Sequence, residues 1–163
     1  MRRCRAVTLR VLVYHAVCEE LDRLVGVCRG QPEAGGILLG AYRGRDMELT
    51  AMTHPGPKDD RQAFSFGRSD PLHQRAHDLA WTASDGTVGY AGEWHTHPLG
   101  GPTPSSIDIR TWRSEVKRVG RPMAFAVAAP SGWGLFVVRP RFAWSTRARL
   151  KPGLAGRVGT IFS

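Results

Sequence analysis

Apolar positions along this chain alternate between two periods. Val7–Val13 is rich in β-branched residues and predicts a first strand. His15–Cys28 then carries apolar residues near helical spacing (Val17, Leu21, Leu24, Val25, Cys28) and ends before Gly30, a helix stop. Gly35–Ala41 reads as a buried strand, and Gly44-Arg45 suits a hairpin turn into Met47–Thr53. His54–Gln62 is a loop rich in Pro, Gly and Asp, followed by a short strand in Phe64–Arg68. Asp70-Pro71 opens a second helix that runs to about Ala83, with Asp70 as the cap and Pro71 in the first helical position. Ser84-Asp85-Gly86 ends it. Val88–His95 is a strand, Leu99–Pro104 a turn, and Ser105 caps a third helix that runs to about Val119. Ala124–Ala128 and Gly134–Val138 form a hairpin around Pro130-Ser131-Gly132. The last 25 residues show no clear period and read as a basic tail with at most one strand. Strands and helices intermix throughout, so the expected fold is one α/β domain with a mixed sheet.

Composition narrows the class. The 163 residues are 42% hydrophobic and 23% charged, as expected of a single globular domain. Cys4, Cys18 and Cys28 lack Cys-x-x-Cys spacing, which excludes a zinc knuckle and a disulfide framework and points to a reducing cytoplasm. Arg2, Arg3 and Arg5 precede the apolar Val7–Val13, but Arg10 interrupts it and no small-residue cleavage site follows, so it does not read as a signal peptide. No run reaches the ~18 apolar residues of a membrane span. The net charge of +9 is spread along the chain as arginine, without a block of like charge. Nucleic acid is therefore not the expected partner.

The chemistry concentrates between Glu93 and Asp108. His95 and His97 lie two apart at a strand end, and strand alternation puts both rings on one face, where two nitrogens can meet one metal ion. Two unrelated surface histidines would give the same pattern. Asp108 supplies a third ligand, although Ser105-x-x-Asp108 is also what a Ser N-cap with an acidic first turn looks like. The two readings are compatible. Two His and one carboxylate leave a tetrahedral position open, the pattern of a catalytic zinc. A proton shuttle is then required. Glu33, beside Gly35-Gly36, is one candidate. Glu93, on the same strand face as the histidines, is its rival, or alternatively a hydrogen-bond partner for an imidazole. Trp94 points the opposite way, toward the core, yet its place between these residues keeps it a candidate for the substrate groove. The loop His54–Gln62, with His54 at its start, is a candidate groove wall for its length and polarity. Arg61, Arg68 and Arg110 are candidate contacts for an acidic partner. His73 and His77 share a helix face but lack the glutamate of a His-Glu-x-x-His site.

The set Glu33, His95-x-His97-Pro98, then Ser105-x-x-Asp108 resembles the motif of the JAMM (JAB/MPN) zinc metalloprotease family, with matching spacing. The resemblance spans about residues 7 to 138 and leaves 139–163 as a basic C-terminal segment. It implies a single-domain, cytidine-deaminase-like α/β fold with a curved mixed sheet flanked by helices. It implies one Zn²⁺ held by His95, His97 and Asp108, with Glu33 as proton shuttle and Ser105 as oxyanion donor. The segments His54–Arg61, His73-Gln74 and Gly89–Pro98 are similar to short bacterial members from mobile elements and antiphage operons. By that resemblance the substrate is a ubiquitin-like protein, or a protein conjugated by E1-like and E2-like partners, cleaved after a C-terminal glycine. A RadC-like DNA-associated protein and a metal-free interaction scaffold are the alternatives. A zinc deaminase is disfavoured because its Pro-Cys-x-x-Cys ligands are missing.

Overall fold

In the computed structural model, which describes residues 9–140, 146–150, 152–155 and 159–163, the period-two segments pair into one nine-stranded mixed sheet. In chain order the elements are β1 (Val11–Tyr14), α1 (His15–Val27), β2 (Gly35–Arg43), β3 (Asp46–Met52), β4 (Asp60–Arg61), β5 (Phe66–Gly67), α2 (Leu72–Ala83), β6 (Gly89–Thr96), α3 (Ser106–Val119), β7 (Met123–Ala129), β8 (Gly132–Arg139), β9 (Thr146–Leu150), β10 (Pro152–Ala155) and β11 (Gly159–Phe162). The large sheet runs β10-β11-β1-β3-β2-β6-β7-β8-β9, and β4 and β5 form a separate small hairpin. It is the expected curved mixed sheet with flanking helices.

Most predicted elements stand within a residue or two of their expected bounds. Three differ. Val7 and Thr8 of the first predicted strand lie outside the described residues, and pairing begins only at Val11. The C-terminal segment holds three strands instead of at most one. β11 pairs with β1 and β9 with β8, at opposite sides of the sheet. These strands are defined by backbone hydrogen bonds to a distant partner, which leave little trace in local periodicity. Finally, α2 starts at Leu72 with Pro71 as its N-cap. Asp70 still caps, since its carboxylate accepts from the Leu72 amide at 2.9 Å, but the other oxygen is taken by the Lys58 amide at 3.0 Å.

Two apolar clusters lie on either side of the sheet. One joins α1, through Val17, Leu21 and Leu24, to Leu38, Met47, Trp94 and neighbours. The other joins α3, through Trp112 and Val116, to Met123, Phe125, Val127, Phe136 and Val138. The unit β6-α3-β7 has its two strands parallel, so the helix returns across the sheet face and its N-terminus lies beside the C-terminal end of β6. Trp112 anchors it, stacked on Phe125 with ring centroids 4.5 Å apart. Asp108 is one helical turn before Trp112, on the same helix face. Packing of one indole thus delivers a carboxylate to the strand end that carries the histidines.

Candidate metal centre

Along β6 the exposures alternate as the sequence requires. Trp94 and Thr96 are buried, whereas Glu93, His95 and His97 are only partly so. The histidines face α3, and His95 meets the edge of Trp112 at 6.2 Å between ring centroids. His97 extends the strand beyond its formal end, its amide donating to Ala128 O at 2.7 Å.

His95, His97 and Asp108 converge. The two Nε2 atoms are 2.9 Å apart. His95 Nε2 lies 3.4 Å from Asp108 Oδ1, and His97 Nε2 lies 3.4 Å from Asp108 Oδ2. Donors on a tetrahedral zinc at about 2.0–2.1 Å would be roughly 3.3 Å from one another, so this set fits one small cation with little movement. The tautomer also fits. His97 Nδ1 faces the Gly101 carbonyl at 3.2 Å, where it must donate, which turns the Nε2 lone pair of the neutral ring toward the centre. Burial works to raise the Asp108 carboxyl, but hydrogen bonds with His95, His97 and Ser105 outweigh it and hold the group well below the carboxylate range. The Asp108 carboxylate in turn raises His97.

Asp108 does structural work as well. Ser105 Oγ accepts from the Asp108 amide at 3.2 Å, and Asp108 Oδ2 accepts from the Ser105 amide at 2.6 Å. This is a full capping box, so the cap that explains the Ser-x-x-Asp spacing also aims the carboxylate.

Glu33 arrives through sheet register. β2 pairs antiparallel with β6, with Gly35 opposite His95. Ala34 is held on both sides by Thr96: its amide donates to Thr96 Oγ1 at 2.9 Å and its carbonyl accepts from the Thr96 amide at 2.8 Å. Glu33 therefore follows this pairing to the end of β6 that bears His97. The two glycines after it are required by close approach. A Cβ at Gly35 would sit 2.5 Å from the Phe66 ring, and one at Gly36 would collide with the Thr53 carbonyl. Burial raises the Glu33 carboxyl above its ordinary value, with His95 and His97 opposing.

A cleft of about 740 Å³ contains Glu33, His95, His97, Ser105 and Asp108 together. Its wall is Ala63–Phe66 with Arg68, the segment after the loop that the sequence suggested. His54 does not line it; its Nδ1 lies 3.3 Å from Glu20 on α1. Trp94 borders the cleft, but its indole is core, 1% exposed and donating to Thr53 O at 2.8 Å. Glu93 lines the cleft, and its carboxylate is engaged by Arg68 at 3.0 Å and the Tyr90 hydroxyl at 2.8 Å instead of an imidazole. His73 is buried between Asp59 and Thr53 and lies outside this cleft.

Sequence reading did not anticipate Phe64, Leu99, Ile107, Thr111 and Glu115 in the lining. Phe64, Leu99 and Ile107 are 79%, 68% and 65% exposed, so large apolar side chains stand open around a polar floor. For Thr111 and Glu115 a signal existed, since they follow Asp108 at helical spacing. Among the described residues, no helix is long and apolar enough to cross a membrane.

Three relatives, each named "CD-NTase/cGAS isopeptidase", resemble the chain. The Pseudomonas aeruginosa protein is 41% identical over 96 residues, 58% of this chain and 61% of the relative. The Escherichia coli protein is 40% identical over 80 residues, covering 49% and 51%. The Vibrio cholerae protein is 39% identical over 85 residues, covering 52% and 54%. The alignments thus span between about half and three fifths of those relatives' length. A solution structure of a Desulfitobacterium hafniense protein shares the fold at TM-score 0.55 and 16% identity, covering 85% of this chain and 89% of the other. The family described as prokaryotic homologs of the JAB domain matches residues 7–146, most of the chain, and this protein belongs to that family.

Proposed function

We propose that this protein is a zinc-dependent isopeptidase. Its substrate is a protein joined through a C-terminal glycine, either a ubiquitin-like tail or a nucleotidyltransferase of the CD-NTase kind attached by E1-like and E2-like partners. Its setting is cytoplasmic antiphage defence. The observation that carries the reading is the convergence of His95, His97 and Asp108 in the same cleft as the half-buried Glu33. The names of the relatives supply the substrate class.

His95, His97 and Asp108 are the residues that would hold the metal. A zinc ion held there would supply Lewis acidity toward the scissile carbonyl and the attacking water. Glu33 accepts the proton of the attacking water and later returns it to the leaving amine. Its burial suits the first step, because a carboxyl raised from its ordinary value accepts a proton more readily. Ser105 donates its hydroxyl to the oxygen that gains charge, while its lone pair keeps the Asp108 amide. The open apolar rim of Phe64, Leu99 and Ile107 packs the chain on either side of the scissile bond.

The test uses a CD-NTase joined through its C-terminal carboxyl to a lysine of a fluorescent protein. Wild type releases the two parts, a chelator stops release, and added zinc restores it. Glu33→Gln retains zinc and loses ~10²–10⁴-fold in kcat. Equal rates for Glu33→Gln and wild type would remove Glu33 from the mechanism.

A further inference from the structure

Glu33 belongs to no strand, and its backbone is gripped by the β4–β5 hairpin. The Glu33 amide donates to Gln62 O at 2.8 Å. Arg61 donates Nε to Glu33 O at 3.0 Å and Nη2 to Pro32 O at 3.1 Å. One guanidinium thus spans two consecutive carbonyls, the second of them Glu33's own. The planar fork suits this; an ammonium on a flexible stem cannot fix two diverging acceptors in the same way.

The hairpin is itself tied down. Gln62 N donates to Ser65 O at 2.9 Å and closes its turn. The Phe66 ring packs over Gly35. At its base the Asp59 side chain is fully covered and accepts from the Gly56, Ser69 and Asp70 amides and from His73. Beyond it, Arg68 pairs with Glu93 and sits over the Tyr90 ring, 5.5 Å from its centroid. An exposed arginine is ordinarily a solvated cation. Arg61 differs because both its bonds end on the backbone that carries the proposed base.

We propose that Arg61 is a positioning residue for Glu33, and that the hairpin forming the cleft wall also sets the proton shuttle. The inference rests on the isopeptidase reading and adds a second role for a segment that otherwise only lines the cleft. Thr96 fixes Ala34 from the sheet side; Arg61 and Gln62 fix Glu33 from the hairpin side. Without Arg61, the Glu33 backbone keeps a single hairpin bond and its carboxyl loses its fixed distance from the donor cluster.

The experiment measures Arg61→Ala, Arg61→Lys, Glu33→Gln and the Arg61→Ala/Glu33→Gln double variant in the full chain, with the same CD-NTase conjugate. Arg61→Ala should lower kcat roughly 10–10²-fold, the scale of a misplaced catalytic group, with KM and bound zinc within about twofold of wild type. Arg61→Lys should recover only part of the loss. In the Glu33→Gln background Arg61→Ala should cost nothing further, because it acts through the residue already disabled. Amide hydrogen exchange at Glu33 should quicken by about tenfold or more without Arg61. A kcat for Arg61→Ala within twofold of wild type, or the same fold loss with and without Glu33, overturns the proposal. If wild type cleaves no conjugate, the isopeptidase reading falls and exchange at Glu33 alone decides the clamp. If Arg61→Ala does not fold, Arg61→Lys carries the same measurements.

Discussion

Among the described residues, the His73–Asp59 and His95–His97–Asp108 clusters both set histidine against aspartate, and they differ in what their polar atoms face. In the first, His73 lies between Asp59 at 2.9 Å and the Thr53 hydroxyl at 2.6 Å. Asp59 accepts three further hydrogen bonds from backbone amides, and Thr53 Oγ1 accepts from the Ile37 amide. Every strong acceptor there meets a donor, and the side chains of His73 and Asp59 are 5% and 0% exposed. In the second, His97 uses one ring nitrogen on Gly101 and Asp108 uses Oδ2 on the Ser105 amide. Its remaining polar atoms, His95 Nε2, His97 Nε2 and Asp108 Oδ1, converge at the floor of an open cleft, with 2.9 Å between the nitrogens and 3.4 Å from His95 Nε2 to Oδ1. A satisfied, sealed cluster stabilises a loop. A cluster of converging ligand atoms that no backbone amide fully satisfies is suited to a cation.

Substitutions can break this contrast, and the largest effect is expected at the open cluster. His95→Ala should bind less than a tenth of the zinc held by wild type in elemental analysis, with cleavage reduced by about 10³-fold or more. His73→Ala should keep full zinc at the same protein concentration. The reverse outcome would mean that the sealed cluster is the metal site.

The next effect concerns stability. Asp59→Ala strands His73 and three backbone amides in a covered site and should cost about 3–5 kcal/mol in denaturant unfolding, the range for breaking a buried pair. Asp108→Ala in the metal-free protein removes one side of a capping box and should cost about 0.5–2 kcal/mol. Equal costs would erase the distinction between the clusters.

A smaller effect than the loss of Asp59 altogether sharpens the comparison through pH. Burial works to raise Asp59, but its hydrogen bonds prevail and lower it from 3.8 to about 2. An acid lowered in the folded state stabilises fully above its unfolded pKa and loses that contribution as pH falls through the folded one. About 2 kcal/mol should therefore disappear between pH 4 and pH 2. In Asp59→Asn this component of acid sensitivity should be missing from an unfolding series.

The open cluster was legible in the sequence because its parts are local. Strand alternation puts His95 and His97 on one face, and the Ser105 cap sets Asp108 in the first turn of α3. The sealed cluster was not legible. Asp59 comes from a loop, Thr53 follows β3 and His73 begins α2, and no periodicity relates them. His54 and the His54–Gln62 loop misled for a related reason. Length and polarity suggested a groove wall, but this loop turns its first residue to α1 and buries the Asp59 side chain, so the wall falls to Ala63–Phe66 and Arg68. Glu93 was placed on the correct strand face, but Arg68, which claims it, comes from another segment, and Tyr90 shares that face only because the β2–β6 register shifts between Leu38 and Leu39.

Local chemistry in the sequence determined the strands and helices of the core, the shared face of His95 and His97, and the capping box at Ser105 and Asp108. Those features depend on backbone period, side-chain type and spacing, which a chain carries with it before it folds. Tertiary structure alone decided how far the C-terminal strands extend the sheet, which segment walls the cleft, and how Arg61 comes to hold Glu33. These depend on pairing between residues far apart in the chain, where register and packing select one partner among many of similar chemistry.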